Sequence, residues 1–276
     1  MKKIHLLFSG PIRPCVEYVI YLNKLFHRYF DNYFNVITYL HYWEESCLNE
    51  TDIDTIAQKL NNHFDYTFTD KLESDDVILS KIPKKIYSKD RMVLGMYKMF
   101  LGMRYFINKI NDKKLIQDDE IVVRIRTDLF IQFYDMSTFA PMIENIKPDE
   151  YFVRNFSASM VDFCDWFGIA HYKNFVKGWY IGSDEEYGRI LKHVFNAEDT
   201  VKKNVLNAGI KIKYTNEYLR MAIIRNVSSK KEVMLLGRKQ SYENNRPEES
   251  LKEYLDLFFL IKENNPKIEW KFGFVN

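Results

Sequence analysis

Two arginines and an aspartate interrupt an apolar stretch of the sequence, Ile-Val-Val-Arg-Ile-Arg-Thr-Asp at residues 121–128. Because strand side chains alternate between two faces, a regular strand would place Arg124, Arg126 and Asp128 on one face. A charge on a buried strand needs an oppositely charged partner, since burying an unpaired charge is costly. Asp128 can supply part of that partner, and phosphate, whose oxygens match the guanidinium fork, can supply the rest.

Asp128 falls where this strand is expected to end, which suggests a second role for its carboxylate. In open α/β sheets, ligands bind outside the carboxyl ends of the strands. Asp128 could therefore hold a metal ion that carries a phosphorylated ligand. The alternative is a buried network of arginine and aspartate without a ligand, because structural ion pairs produce the same pattern.

A second candidate site is the loop Ser-Gly-Pro-Ile-Arg at residues 9–13, between a predicted strand and a predicted helix. The backbone N–H groups of such a turn can bind an anion, and Arg13 can add a bidentate phosphate contact. The loop holds only one glycine, Gly10, so it is neither a P-loop nor a dinucleotide fingerprint. A simple strand-to-helix turn explains the same residues.

Further charged residues fall at positions that suit a binding site. Arg91 lies in the first turn of a predicted helix, against the helix dipole, which hints at an anionic partner. Asp165, just before an aromatic pair and a glycine, could line a pocket for a sugar ring or could cap its own loop. Glu198 and Asp199 open another helix, where the dipole favours acidic residues, and either could act as a general base.

The composition narrows the functional classes. The chain has 276 residues, and its 40 basic and 38 acidic residues leave a net charge of +2, which gives no argument for a nucleic-acid partner. Cys15, Cys47 and Cys164 are too widely spaced for a thiolate zinc site or a disulfide framework, so a reducing cytoplasm is expected. The histidines lack metal-type spacing. No stretch approaches the roughly 18 apolar residues of a membrane span, although peripheral membrane contact stays open.

Strand and helix signals alternate along the first half of the chain, which predicts an α/β sheet with crossover helices. The predicted strands are 3–9, 34–40, 64–68, 77–79, 121–127, 151–155, 210–214 and 219–224, with 165–171 either a strand or a loop. The predicted helices are 15–30, 53–62, 89–111, 172–180, 184–195, 198–207, which Gly209 ends, and 247–262. The polar and basic residues 226–247 are interpreted as a linker.

Taken in order, these motifs resemble a known family. The loop at residues 9–13 resembles the Ser-Gly-x-x-Arg start of WavE-like glycosyltransferases, and residues 124–128 resemble their R-x-R-x-D strand. The helix at 91–98 and the Asp-Trp-Phe-Gly element at 165–168 resemble the elements before and after that strand. Residues 198–212 are similar to the Glu-Asp…Ala-Gly-aromatic-Lys-Ile pattern of GT-A glycosyltransferases.

The resemblance covers about residues 3–225, and it implies a GT-A-like, Rossmann-like mixed sheet flanked by helices, with a C-terminal helical appendage. It implies transfer of a sugar from a nucleotide-sugar donor to a glycan acceptor, in surface polysaccharide or glycoprotein glycan synthesis. The expected donor-binding residues are Ser9, Gly10, Arg13, Arg91, Arg124, Arg126 and Asp128. If the enzyme inverts, the expected catalytic base is Asp199, then Glu198, then Asp165.

By the same analogy, Asp128 stands where a metal-binding Asp-x-Asp motif ends, but Arg126 replaces its first aspartate. Two alternatives follow. Either Mn²⁺ or Mg²⁺ binds Asp128, or a guanidinium neutralises the diphosphate by itself. In both cases, Asp128→Ala is expected to abolish transfer with little loss of the fold.

The sequence thus predicts a catalytic domain at 1–225, a linker and C-terminal helix at 226–276, and a cytoplasmic protein, with membrane association left open. The competing hypothesis is a non-catalytic module that binds a glycan or a protein on a degenerate transferase fold. That module would pair Asp128 with Arg126 structurally and would have no affinity for nucleotide sugars. Nucleic-acid binding through residues 226–240 is disfavoured by the balanced charge.

Overall fold

The structure is a computed structural model that describes residues 1–12, 16–44, 53–82, 90–155, 163–190, 196–226, 232–238 and 269–275. Within these ranges the strands are β1 (Lys3–Ser9), β2 (Asn35–Trp43), β3 (Tyr66–Asp70), β4 (Ile121–Arg126), β5 (Leu129–Phe133), β6 (Glu150–Val153), β7 (Phe167–His171), β8 (Lys211–Tyr214), β9 (Leu219–Asn226), β10 (Glu232–Arg238) and β11 (Glu269–Val275). The helices are α1 (Val16–Phe30), α2 (Ile53–Asn61), α3 (Asp75–Lys81), α4 (Asp90–Asp112), α5 (Met136–Glu144), α6 (Tyr172–Trp179), α7 (Asp184–Ile190) and α8 (Ala197–Asn207).

A seven-stranded sheet, in the order β3-β2-β1-β4-β7-β6-β8, forms the centre of the molecule. Its neighbouring strands are parallel except at β7, which is antiparallel to both β4 and β6. The predicted fold class, an α/β mixed sheet flanked by helices, is confirmed. The apolar runs of β1 and β4 are buried on both faces, which is the pattern of a central strand in such a sheet.

The strand order reverses at β1. The chain leaves β1, passes through α1 and returns as β2 on one side, whereas β4 pairs with the other side of β1. Ser9, at the carboxyl end of β1, lies in register with Arg126, at the carboxyl end of β4. Reversal points of this kind open a crevice outside the strand ends, where α/β proteins bind ligands. The topology therefore brings the two candidate sites to the same place.

Helix α1 joins the large sheet to a smaller one, whose strand order is β11-β10-β9-β5. The ring of Phe26 in α1 packs edge-on against Phe8 in β1, with 5.6 Å between ring centroids, and against Phe133 in β5, at 5.7 Å. Such edge-to-face aromatic contacts add to the energy of burial. The second sheet is therefore fixed to the first through a shared aromatic core.

The second sheet corrects the prediction for the C-terminal part of the chain. The linker predicted at 226–247 is wrong for residues 232–238, which form β10 and pair with β9 and β11. The polar residues on both sides hid a short apolar run, Val-Met-Leu-Leu at 233–236. The helix predicted at 247–262 lies outside the described residues. Strand β9 runs through residue 225 without a break. The division of the chain into a domain at 1–225 and a C-terminal part at 226–276 stays a prediction.

Three local predictions also need correction. The fragment 77–79, predicted as a strand, lies inside α3, whose first turn carries Asp75 and Asp76, as the helix dipole favours. Strand β4 ends at Arg126, so Asp128 does not continue its pleat but belongs to the turn into β5. Both β5 and α5 were missed, although Asp135 caps α5 by accepting a hydrogen bond from the backbone N–H of Thr138.

Among the described residues, none of the helices has the length and apolar character needed to cross a membrane.

Gly168 in β7 makes room for the ring of Tyr151 on the neighbouring strand. A Cβ atom added at Gly168 would lie 2.6–3.0 Å from three atoms of that phenol. We expect Gly168→Ala to lower the free energy of unfolding by about 1–3 kcal/mol, the usual cost of overpacking. Chemical denaturation measures this.

Gly95→Ala is the matched control, because Gly95 is an exposed helical residue with no neighbour within 4 Å of the added Cβ. It should raise the free energy of unfolding by up to about 1 kcal/mol through helix propensity. Equal effects of the two substitutions would contradict the packing described for Tyr151.

Candidate functional site

The loops after β1 and β4 are locked together at the strand reversal. Gly10 has a φ of +141°, and a Cβ atom there would lie 2.8 Å from the hydroxyl oxygen of Thr127. That hydroxyl donates to the carbonyl oxygen of Pro11 at 2.6 Å. The buried Ser9 hydroxyl points to helix α4, where it donates to the sulfur of Met103 at 3.1 Å. Glycine is thus required at position 10 both by the backbone conformation and by the close approach.

Arg126 and Asp128 form a bidentate ion pair at the end of β4. Nε of Arg126 donates to one carboxylate oxygen of Asp128 at 2.8 Å, and Nη2 donates to the other at 2.9 Å. The side chain of Asp128 is fully buried, whereas that of Arg126 is 16% exposed. This is the parallel two-bond geometry in which a guanidinium and a carboxylate interact most strongly.

Arg124 lies deeper in the same strand and is held by aromatic residues. Its guanidinium carbon is 4.1 Å from the ring centroid of Trp179 in α6, and its Nη1 donates to the carbonyl oxygen of Trp166 at 3.2 Å. The indole N–H of Trp179 in turn donates to the hydroxyl of Tyr151 at 3.0 Å. Arg124 is only 1% exposed, and its Nε has no hydrogen-bond partner among the described residues.

Asp165 supplies the second carboxylate of the cluster. It lies in the loop before β7 and is 3% exposed, and its negative charge acts on both Arg124 and Arg126. Within the part of the chain that the structure describes, its Oδ1 accepts no hydrogen bond. A buried polar atom without a partner is rare in folded proteins and asks for an explanation. Here a single cluster holds two atoms of this kind, the donor Nε of Arg124 and the acceptor Oδ1 of Asp165.

The two arginines respond in opposite ways to this environment. Burial lowers the pKa of Arg124 to about 10, since the charge of Asp165 offsets only part of the desolvation. Burial would also lower the pKa of Arg126, but the charges of Asp128 and Asp165 outweigh it and raise that pKa above its usual range. Arg126 therefore carries a firmly held positive charge, whereas the charge on Arg124 is costly and would gain from an anion nearby.

The metal ion expected on Asp128 does not fit these residues. Both carboxylate oxygens of Asp128 already accept hydrogen bonds from Arg126, and the side chain is fully buried. A divalent ion bound there would lie beside the positive guanidinium of Arg126, which repels it, and the buried side chain leaves no room for the several further oxygen ligands that Mg²⁺ and Mn²⁺ require. Across the residues described, no group of three or more His, Cys, Asp or Glu side chains is arranged to hold a metal ion.

Glu198 and Asp199, two of the predicted catalytic residues, lie apart from this cluster in sheet order. They open α8, next to β8, which is the third strand along from β4. Asn196 caps the helix by accepting a hydrogen bond from the backbone N–H of Asp199 at 2.7 Å. The carboxylate of Asp199 is 24% exposed and lies 2.9 Å from Nζ of Lys203. Its role as a base stays a prediction.

The other expected site residues have mixed outcomes. Arg13 lies outside the described residues, and Arg91 lies within α4, where the structure describes only its backbone. Sequence reasoning missed Thr127, Tyr151 and Trp179, which hold the loops and Arg124 in place. Of these three, only Tyr151 had a signal in the sequence, the small Gly168 after an aromatic pair, which leaves room for a large ring on the neighbouring strand.

A second charged network lies beside the crevice, at the carboxyl ends of β2 and β3. Nε2 of the buried His41 is 3.0 Å from Asp70, whose other oxygen accepts a hydrogen bond from Lys109 of α4 at 2.7 Å. The His41 ring stacks on Phe106 and lies edge-on to Trp43. Burial lowers the pKa of His41 more than the neighbouring Asp70 raises it, so the ring is neutral at pH 7.

No protein-family model matches this chain, and no curated protein sequence matches it. Solved structures do show similarity. A 4-diphosphocytidyl-2C-methyl-D-erythritol synthase has a TM-score of 0.42 at 9% identity, over 93% of this chain and 100% of that one. The galactosyltransferase LgtC, in complex with donor and acceptor sugar analogues, has 0.43 at 10% identity, over 75% and 72%.

A glycosyltransferase involved in the glycosylation of the major capsid of PBCV-1 has a TM-score of 0.39 at 10% identity, over 77% of this chain and 81% of that one. At such values the likeness does not assign a reaction to this chain. The chemistry of the crevice has to be inferred from its own residues.

Asp128→Asn should destabilise the fold strongly, contrary to the expectation that Asp128 could be replaced with little loss. The substitution leaves the largely buried guanidinium of Arg126 without its ionic partner, which costs up to about 3–5 kcal/mol. Urea unfolding of Asp128→Asn measures this. The control is Asp149→Asn, because Asp149 pairs with Lys211 on the surface and its loss should change little. Equal stability of both variants would contradict the buried pair.

Protonation of His41 should make the free energy of unfolding depend on pH. Its pKa is lowered in the folded state, so the unfolded chain binds more protons and stability falls as the pH drops below about 6.5. The slope approaches about 1.4 kcal/mol per pH unit for one proton. The pKa of Asp70 is also lowered in the folded state, so its ionised carboxylate stabilises the fold until the pH falls below the ordinary pKa of an aspartate. The two effects therefore fall in different pH ranges.

His41→Gln removes this titration, so the stability of the variant should depend less on pH between 6.5 and 5 than that of the natural chain. Denaturation curves at several pH values test this. The buried His5, whose pKa burial also lowers, continues to titrate in both proteins. Identical pH dependence in the two proteins would show that His41 does not titrate as described.

Proposed function

We propose that this protein is a glycosyltransferase that binds a nucleotide-diphosphate sugar in the crevice between the carboxyl ends of β1 and β4. The observation that carries the proposal is the buried cluster at that crevice, in which Nε of Arg124 and Oδ1 of Asp165 lack partners. A phosphorylated sugar offers both an anion for a guanidinium and hydroxyl groups that donate to a carboxylate. Both atoms are buried, so a ligand of this class would satisfy them once it displaces the side chains that cover the cluster.

The position of the cluster supports a nucleotide ligand in particular. The cluster lies at the point where the strand order reverses, which is where α/β sheets bind nucleotides. Gly10 allows the loop to approach Thr127 without a side chain in between. We therefore assign Ser9, Gly10 and Arg13 to the side of the nucleotide, and Arg126 to the diphosphate.

Arg126 and Arg124 would have different roles in binding and transfer. Positive charge close to the departing diphosphate stabilises the negative charge that develops on it as the bond to the sugar breaks. Arg126 is the partly exposed member of the cluster and retains its charge. Arg124 is fixed under Trp179, and Asp165 beside it would accept a hydrogen bond from a hydroxyl of the sugar. No step in this scheme needs a metal ion on Asp128.

We propose Asp199 as the first choice for the base that activates the acceptor hydroxyl, followed by Glu198 and Asp165. β8 runs in the same direction as β4, because β4 and β6 are both antiparallel to β7 and β8 is parallel to β6. Since α8 leads directly into the start of β8, we expect the start of α8 at the edge of the sheet where β4 ends. Asp199 is partly exposed there, so an acceptor could reach its carboxylate. A glycan acceptor from surface polysaccharide or glycoprotein synthesis completes the proposal.

A second candidate function is a module that binds a glycan or a protein without catalysis. One observation favours it, namely that Asp128 and Arg126 pair with each other, as this alternative predicts. It does not account for the unpartnered atoms of Arg124 and Asp165. The two functions differ in whether nucleotide sugars bind.

A panel of UDP-, GDP-, CMP- and dTDP-sugars, with and without Mn²⁺, separates the two functions by thermal shift. We expect one nucleotide class to raise the Tm, because a ligand that binds only the folded state at 100 times its Kd adds about 2.7 kcal/mol of stability. With that donor, Asp199→Asn should still bind but should lose roughly 10²–10⁴ in transfer rate, the usual contribution of a general base.

Asp149→Asn, which changes an equally acidic but remote surface position, should keep both binding and transfer. A folded sample that no nucleotide sugar stabilises would refute the transferase and leave the binding module. Full transfer activity in Asp199→Asn would refute only the choice of base.

A further inference from the structure

We infer that Arg126, oriented by Asp128, binds the diphosphate of the donor directly and takes the place that a divalent ion would otherwise fill. This inference rests on the proposed function, because it concerns the same nucleotide-sugar site. It chooses between the two alternatives that the sequence leaves open, and it separates the roles of the two arginines.

The hydrogen bonds to Asp128 use only one side of the Arg126 guanidinium. Of its five N–H groups, one on Nε and one on Nη2 donate to Asp128, which leaves three. No hydrogen bond from Nη1 is found among the described residues. The remaining N–H groups on Nη1 and Nη2 form a second fork, directed away from Asp128. Such a fork fits two oxygens of a phosphate group as well as it fits a carboxylate.

Exposure separates the two arginines. Arg126 is 16% exposed and ends β4 beside Ser9, whereas Arg124 is 1% exposed and is covered by Trp179. The backbone N–H of Arg126 and Nη1 of Arg124 both donate to the carbonyl oxygen of Trp166, so the loop before β7 fixes both residues. Of the two guanidiniums, that of Arg126 is therefore the more accessible to a ligand at the strand ends.

Asp128 has the role of a positioning residue in this arrangement. The carboxylate is fully buried and lies against the guanidinium, whose positive charge would repel Mg²⁺ or Mn²⁺ at the same oxygens. What it does instead is to fix the plane of the Arg126 guanidinium, which lowers the entropy lost when a phosphate binds. Asp128 thus binds the guanidinium of Arg126 in place of a metal ion.

The charge balance of the cluster indicates how the diphosphate would be held. Two arginines and two aspartates, Asp128 and Asp165, leave no net charge. Binding must therefore depend on directed, charge-assisted hydrogen bonds more than on overall attraction. A lysine at position 126 would keep the charge but lose the fork, so Arg126→Lys isolates the geometric contribution.

The experiment measures the affinity of UDP, GDP, CDP and dTDP by calorimetry, in EDTA and in Mn²⁺, for the natural chain and for Arg126→Lys. We expect the preferred nucleotide to bind the natural chain equally well, within about threefold, in both solutions. Arg126→Lys should weaken binding about ten- to hundredfold, the equivalent of one or two charge-assisted hydrogen bonds. Binding that requires Mn²⁺ in the natural chain would overturn the inference while leaving the transferase proposal intact.

Arg104→Lys is the matched control, because Arg104 is similarly exposed, at 15%, and donates to a carboxylate outside the cluster, that of Asp184 in α7. It should not change the affinity. If Arg126→Lys does not fold, the double variant Arg126→Met with Asp128→Val replaces the pair by apolar residues close to it in size, which buried pairs often tolerate. Nucleotide affinity retained in that variant overturns the inference, whereas a folded natural chain that binds no nucleotide overturns the proposed function as well.

Discussion

The bidentate ion pair between Arg126 and Asp128 is the interaction on which the rest of the candidate site depends. A fully buried carboxylate is tolerated only when its charge is matched, and here two hydrogen bonds at 2.8 and 2.9 Å provide the match. The pair spans the turn from β4 into β5. The same two residues therefore connect the second sheet to the crevice.

This pair also explains why the site differs from a carboxylate metal site. An arginine two residues before the aspartate supplies a permanent positive charge inside the fold, and it does so with fixed donor directions. The cost of burying the second guanidinium, Arg124, is met in part by the ring of Trp179 and the charge of Asp165. The unpartnered atoms that remain are what makes the cluster a candidate for ligand binding and not only a structural network.

Much of this architecture could be predicted from the sequence, because it depends on local patterns. The apolar runs of β1 and β4 were predicted, as were the helix at 53–62, observed as Ile53–Asn61, and the glycine end of α8. Gly209 has the positive φ of +73° typical of such an end. What could not be predicted depends on distant contacts. The end of β4 at Arg126 is set by Thr127, which bonds to Pro11 more than a hundred residues away. The strand β10 was hidden by its polar neighbours.

The most direct test of the account is a crystal structure of the protein with a nucleoside diphosphate bound. The account predicts the diphosphate at the carboxyl ends of β1 and β4, with phosphate oxygens within hydrogen-bond distance of Nη1 and Nη2 of Arg126 and with Asp128 still bonded to the same arginine. A nucleotide bound elsewhere on the molecule, or a metal ion between Asp128 and the phosphates, would contradict it.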